Sequence, residues 1–361
     1  MSDSMFPPQT PAYILNFQFS SWYPRFSGVS IKSTIVKPLP EDFAQYLNED
    51  SIFLPEGSED IVASSSLSDT EDSAGDDDSD SDEPRRTYAF PDLDSQIRDA
   101  IKRYEGAVFP KLNFSSPRDA SWMLPSSSPL KCTSPADVYL LLKSSDFVSH
   151  DLSHDLVFDG QTPGPNEPYE LELVLRKWYA IDRSREMRCF VRAGRLIGIS
   201  QRDTNYYPYM AAADIQRGIV NAITRFWTDK IVSNSKWEAE DYIFDILLTR
   251  DLSRAHIVDF NPYSPRTDSL MFSYEELDAL HRVHTNALHT GNPSAPPPIP
   301  QFKYVDSPAH PFARANAPAH QHNMVPMEAL SLSSGRDIAG FAEVWREEVR
   351  RGTQAGEGID E

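Results

Sequence analysis

With 361 residues, 54 of them acidic against 34 Lys and Arg, the chain carries a formal charge of −20. Phosphate neutralisation needs a clustered excess of Lys and Arg, so a general nucleic-acid-binding surface is excluded. Cys132 and Cys189, far apart and without metal-ligand spacing, exclude a disulfide framework and a zinc site. No apolar run reaches the roughly 18–20 residues that span a bilayer, and Met1-Ser2-Asp3-Ser4 lacks a basic, then apolar leader, so a soluble cytoplasmic protein is expected.

In chain order, the aromatic-rich residues 13–24 are expected to be ordered, and residues 30–40 read as an edge strand. Pro40, Glu41 and Asp42 then open a short helix with Phe43 and Leu47 on one side. Residues 56–86 contain no aromatic side chain, and eleven acidic residues lie between Ser58 and Glu83 without a Lys or Arg, leaving −9 for the rest of the chain. Such a stretch cannot bury enough apolar surface to offset its ordering entropy, which predicts a disordered acidic loop. Its Ser-acidic pattern suits an acidophilic kinase and equally a plain solvated spacer.

Asp92 is expected to cap a helix carrying Leu93, Ile97, Ile101 and Tyr104 and ended by Gly106. Residues 108–114 follow as a strand, and Ser134 caps a second helix with Pro135 at its first position. Residues 169–179, 187–193 and 195–201 read as three strands of one sheet, the last two joined at Ala193-Gly194. The stripe Ile215, Ile219, Ile223 and Phe226 marks a helix near residues 211–229. Residues 242–248 and 256–262 form a hairpin, followed by a helix from Ser273 to about His284. Beyond Asn292, the proline-rich run from Pro293 to Pro300 predicts an extended tail. Ile338, Phe341, Val344 and Trp345 predict a terminal amphipathic helix that packs on its own domain or on a partner.

Four groups bear on chemistry. Along the last strand of the hairpin, Asp259 and Asn261 share one face while Val258 and Phe260 share the other, and pairing brings Asp245 to the first. Carboxylate and amide oxygens are what a hard cation such as magnesium accepts, commonly together with nucleotide phosphates; the same residues also suit a strand end before Pro262. Lys111 interrupts an apolar strand, as a phosphate-neutralising or an exposed lysine. Leu175-Arg176-Lys177-Trp178, with Tyr179, ends a strand in cations and aromatics that frame a base or fill a core. Asp182 suits a ribose hydroxyl as acceptor. An inward Arg188 would share its face with Phe190 and Arg192, opposite Cys189 and Val191, and bind phosphate bidentately. Cations, a base platform and metal oxygens are complementary demands of one ligand, Mg-ATP. The absence of a Gly-x-x-x-x-Gly-Lys-Ser/Thr loop or Gly-x-Gly-x-x-Gly turn disfavours P-loop and Rossmann sites.

These motifs resemble those of the cell division cycle protein 123 family of eukaryotes. The matching runs are Phe19-Ser20-Ser21-Trp22-Tyr23-Pro24, Phe109-Pro110-Lys111-Leu112-Asn113-Phe114-Ser115-Ser116-Pro117-Arg118-Asp119-Ala120, Leu175-Arg176-Lys177-Trp178, Glu186-Met187-Arg188-Cys189-Phe190-Val191 and Val258-Asp259-Phe260-Asn261-Pro262. They stand in family order and cover most of residues 13–285. Asn16 stands where a cysteine is expected and Phe114 where tryptophan is frequent; neither change touches the ATP site.

The resemblance implies an α+β, ATP-grasp-like architecture in which two lobes with antiparallel sheets hold Mg-ATP between them. Residues 1–55 and 87–168 would form the N-terminal lobe and 169–290 the C-terminal lobe, with a disordered acidic loop over 56–86 and a mostly extended tail over 291–361. Lys111 would serve the phosphates, Asn113 would also bind the nucleotide, and Leu175, Arg176, Lys177 and Trp178 would form the adenine-side hinge. Asp182, Arg183 and Arg188 would also face the nucleotide, Arg183 and Arg188 as less distinctive matches. Asp245, Asp259 and Asn261 would hold magnesium. Family members are understood as assembly chaperones of eukaryotic translation initiation factor two. They bind its gamma subunit so that alpha and beta join, with no direct nucleic-acid or membrane contact and no need to self-associate. The alternative is an ATP-grasp carboxylate–amine ligase. It would use the same metal and phosphate groups and also need an acceptor pocket beside the γ-phosphate.

Overall fold

The aromatic and β-branched runs condense into two sheets, not one. A computed structural model of the chain describes residues 4–59, 87–125, 127–165, 167, 169–290 and 299–314. Its first sheet has three strands in the order β1-β3-β2, formed by β1 Ser33–Val36, β2 Val108–Lys111 and β3 Leu173–Lys177. The second has five in the order β7-β6-β4-β5-β8: β4 Glu186–Arg192, β5 Arg195–Gln201, β6 Tyr242–Leu248, β7 Ala255–Asn261 and β8 Gln301–Lys303. All neighbours are antiparallel except β5 and β8. The expected α+β architecture of two lobes built on antiparallel sheets is therefore the one the chain forms.

Strand β3 departs from expectation by pairing with β1 and β2, so it belongs to the first lobe and not to a sheet with β4 and β5. Its first four residues are all buried, so both faces of the strand are covered, as a central place requires. Leu173 and Leu175 pack with Phe43, Tyr46, Ile97 and Tyr139, whereas Val174 packs into the core of the second lobe. Pro110 cannot donate to a ladder, which confines β2 to the edge of the sheet. That strand stops at Lys111, short of the expected residue 114, because Leu112 N–H turns back to Ser115 O at 2.9 Å.

One face of the five-stranded sheet, with Cys189, Val191, Phe244 and Ile257, packs on Ile219 and Ile223 of the helix Ala213–Phe226. The same core takes in Phe17, Trp22 and Phe26 from the start of the chain, so this segment packs against the second lobe. On the other face Phe190 and Ile243 meet Tyr263, Phe272 and Leu277. Gly198 permits that contact: a Cβ there would lie 3.1 Å from Leu277 and 3.2 Å from Phe272. The remainder of this face, at Arg188, Asp245 and Asp259, looks towards the first lobe.

Ser134 caps its helix as expected, in a capping box with Asp137. The helix Pro91–Arg103 instead starts after Phe90, with Pro91 at its first position and Asp92 inside the first turn, where its charge favours the helix dipole. Strand β8 and the short helix Pro311–Arg314 fall in the stretch read as an extended tail. β8 forms because Phe302 and its neighbours add to the free edge of β5. The terminal amphipathic helix lies outside the described residues, as do residues 60–86 of the acidic loop. Residues 56–58 are part of the lobe: Glu56 N–H donates to Tyr88 O at 2.8 Å and Ala136 N–H to Ser58 O at 3.2 Å.

The loop that follows Lys111 is fixed by Asp151, a fully buried carboxylate. It accepts from Phe114 N at 2.8 Å, Ser115 N at 2.9 Å and Ser115 Oγ at 2.8 Å. Truncation would leave two backbone donors without an acceptor. Asp151→Ala is expected to cost about 2–4 kcal/mol in urea unfolding, most of it from those orphaned groups. Glu56 pairs with Ala89, so the acidic insert leaves and re-enters the lobe side by side. A chain lacking residues 60–86 is expected to keep the melting temperature of the full chain, measured by circular dichroism.

Candidate functional site

The two sheets face one another across a cleft of about 400 Å³ lined by Phe109, Arg176, Trp178, Glu186, Asp245 and Asp259 among others. A larger recess of about 650 Å³, between residues 7–16 and 236–241, includes no buried charged side chain in its lining. Convergent polar groups single out the inter-sheet cleft.

Register sets its floor. Asp245 on β6 stands opposite both Asp259 on β7 and Arg188 on β4, which faces Ser200 on β5 in turn. The expected meeting of Asp245 and Asp259 is realised, but Val258 is an extra residue in its strand and lines the cleft beside Asp259 instead of facing away. A β-bulge re-aims side chains in this way and is common beside functional sites.

Asp245 is fully enclosed. Arg188 grips it bidentately, Nε to Oδ1 and Nη2 to Oδ2, each at 2.8 Å, and Arg202 Nε reaches Oδ2 at 3.1 Å. Burial alone would raise this carboxyl, but the two guanidiniums outweigh it and hold it at about 2. Arg202 also pairs with Glu186 at 3.0 Å. Burial, with Asp245 adding to it, pushes the Glu186 carboxyl up to about 8. From the first lobe Lys111, 1% exposed, crosses to Asp259 Oδ2 at 2.9 Å and donates to Phe114 O as well.

Arg176 has a different environment. β3 alternates, so Arg176 points into the cleft while Leu175 joins the core of the first lobe and Lys177 pairs with Glu105 at 2.6 Å. The guanidinium is 1% exposed and lies 5.4 Å from the ring centre of Phe19 and 5.2 Å from that of Phe109. Among the described residues its Nε and Nη2 have no hydrogen-bond partner, and burial lowers its pKa. A buried cation without an acceptor is costly, and the two rings offset only part of that cost.

Other expected site residues are placed less directly. Asn113 spends its amide on backbone, donating to Glu170 O at 2.8 Å and accepting from Glu172 N at 3.0 Å, and so staples the loop after β2 to the approach to β3. Asp182 accepts from Ser184 and Arg185 of its own turn, while Arg183 is exposed and lines the cleft. Asn261 lies two residues beyond Asp259 on β7, with its buried Nδ2 unpartnered. Backbone N–H groups of Lys177 and Trp178 are taken by Lys32 O and Ala107 O, so the free hinge edge starts beyond them, where Tyr179, Ala180 and Ile181 line the cleft. Trp178 is held by an indole N–H that donates to Pro129 O at 3.0 Å.

Sequence reading assigned no role to Arg118, Glu186 or Arg202, all of which line the cleft. Counting back from the Ala193-Gly194 turn would have missed the Glu186–Arg202 pair, because a β-bulge between Phe190 and Val191 shifts the register, and uninterrupted pairing would set Gln201 beside Glu186. The β4–β5 register pairs Met187 with Gln201, and the next step sets Glu186 beside Arg202.

Known proteins carry the same arrangement of sequence. Residues 22–333 match the family model described as D123. A Schizosaccharomyces pombe protein named translation initiation factor eIF2 assembly protein is 32% identical over 344 residues, 94% of this chain and 96% of that one. A Xenopus tropicalis protein of the same name is 37% identical over 329 residues, 90% of this chain and 92% of that one. The solved structure of Cdc123 from Schizosaccharomyces pombe superposes with a TM-score of 0.60 at 33% identity, covering 82% of this chain and 98% of that one. On a match that spans both sheets and the cleft between them, the chain belongs to the D123 family, that of cell division cycle protein 123.

Proposed function

We propose that the chain is a cytoplasmic, ATP- and magnesium-binding assembly chaperone for translation initiation factor eIF2, acting as a monomer on its gamma subunit so that alpha and beta join. The assembly role is supported by the names of its relatives. The nucleotide role is carried by Arg176, a buried guanidinium facing the cleft whose Nε and Nη2 no group among the described residues accepts. A polyphosphate supplies the missing acceptors.

The other groups fit the same ligand. Lys111 would neutralise phosphate oxygens beside Arg176, with Arg183 at the mouth. Trp178 and the Tyr179–Ala180–Ile181 edge would frame the base. Asp259 and Asn261 would supply hard oxygens that magnesium accepts, with Asp245 beside them held by Arg188 and Arg202, and the metal would offset phosphate charge when bound. The orphaned donors of the Arg176 guanidinium call for an anion's oxygens, which phosphate would supply. Nucleotide that favours one arrangement of the lobes over another would shift that equilibrium and so gate the partner-binding surface.

Arg176→Met separates a ligand-binding role from a structural one. Removing an unpaired buried charge is expected to raise the melting temperature of the nucleotide-free protein while weakening ATP about ten- to hundred-fold, the loss of one charge-assisted contact. A lower melting temperature with unchanged ATP affinity, by calorimetry, would count against the assignment. Asp259→Ala is expected to abolish the gain in ATP affinity that magnesium gives. With purified gamma subunit, ATP should change its affinity for the wild-type chain and not for Arg176→Met; an ATP-independent complex would refute the gating.

A further inference from the structure

Every oxygen of the two carboxylates of the metal reading already accepts a hydrogen bond. Asp245 Oδ1 accepts from Arg188 at 2.8 Å, and its Oδ2 accepts from Arg188 at 2.8 Å and from Arg202 at 3.1 Å. Asp259 Oδ2 accepts from Lys111 at 2.9 Å and its Oδ1 from the backbone N–H of Phe260 at 3.1 Å. All four oxygens are engaged, three of the five contacts coming from arginine and one from lysine. A divalent cation approaching them meets fixed positive charge within contact distance, in a site too poorly solvated to screen it.

The contact most open to exchange is that of Lys111. Asp245 is enclosed and held by a bidentate fork, a geometry that resists substitution. Asp259 keeps 17% of its side chain accessible and is held by a single ammonium, which can swing to a new acceptor. Lys111 comes from β2 and Asp259 from β7, so the pair also spans the two sheets.

We propose that the protein masks its metal carboxylate with its own phosphate-binding lysine, so that a divalent metal binds strongly only when a polyphosphate draws Lys111 off Asp259. The inference rests on the nucleotide reading of the cleft and adds an order to it: metal and nucleotide bind together. The phosphates take the ammonium, the metal takes the vacated carboxylate, and one bridged unit replaces a direct ion pair between the sheets. Because coupling is reciprocal, whatever factor nucleotide adds to metal affinity, metal adds to nucleotide affinity.

The test is a manganese titration of the full chain, reading free Mn²⁺ by electron paramagnetic resonance with no nucleotide present. Lys111→Met keeps side-chain length and removes the charge. It is expected to bind Mn²⁺ on the order of ten-fold more tightly than wild type, and the gain should vanish in the Lys111→Met/Asp259→Asn double variant. An unchanged or weaker Mn²⁺ affinity in a Lys111→Met protein with wild-type melting temperature overturns the proposal. So does a gain that survives in the double variant.

Should Lys111→Met fail to fold, Asp259→Asn decides through ATP binding in EDTA. The freed lysine should bind metal-free ATP more tightly than wild type does, and equal or weaker binding overturns the masking. Wild-type protein that binds no ATP with or without Mg²⁺ overturns the underlying nucleotide reading, while the nucleotide-free Mn²⁺ comparison still reports on the ion pair alone.

Discussion

Positive charge held between two apolar sheets is the constraint around which the molecule is built. An ionised side chain taken out of water must be paired or it destabilises the fold. Four arginines, at positions 118, 176, 183 and 202, line the cleft with three carboxylates, Glu186, Asp245 and Asp259, while Lys111 and Arg188 close it from behind. In a chain of net charge −20 this is a local inversion of sign. Most of these charges are reconciled internally. Arg118 and Arg183 are exposed to water, whereas Arg176 is buried with donors that none of the described residues accepts.

The fold brings these charges together by making register do the positioning. Asp259, Asp245, Arg188 and Ser200 lie in one row across four strands, so each is fixed by the ladder and not by a mobile loop. From the opposite lobe, Lys111 is the last residue of an edge strand and is steadied by the loop that Asp151 ties down. Rigid elements therefore supply both halves of the site, which is how a constellation keeps sub-ångström geometry without strain.

Much of this was legible in the sequence, for physical reasons that differ from residue to residue. The strands of the Asp245–Asp259 hairpin could be read from alternation and a short turn, but their register could not: counted from the turn, Asp245 would face Val258, and the β-bulge sets it opposite Asp259. Ser134 could be read because a capping box is a local interaction. The membership of β3 could not, since an apolar run states that both faces are covered without stating by which neighbours. Strand β8 was missed because Gln301–Lys303 is too short to show a period, and its existence depends on a free edge at β5. Within the site, residue identity pointed to Lys111, Asp245 and Asp259, which the fold brings together. Partner choice did not follow from it: that Asp245 is claimed by Arg188 and Arg202, or that Asn113 is consumed by backbone, depends on tertiary contacts.

The position of β3 has a mechanical consequence. Its Leu173 and Leu175 belong to one hydrophobic core and its Val174 to the other, so a single five-residue strand is shared by both lobes. The N-terminal aromatics Phe17, Trp22 and Phe26 cross over likewise, from the start of the chain to the second core. Neither lobe can open its core without disturbing the strand that also seals the other. The lobes are thus two in shape but one in cooperativity: heating should melt them in a single transition, and no cut of the chain between residues 111 and 173 would release a half that folds alone.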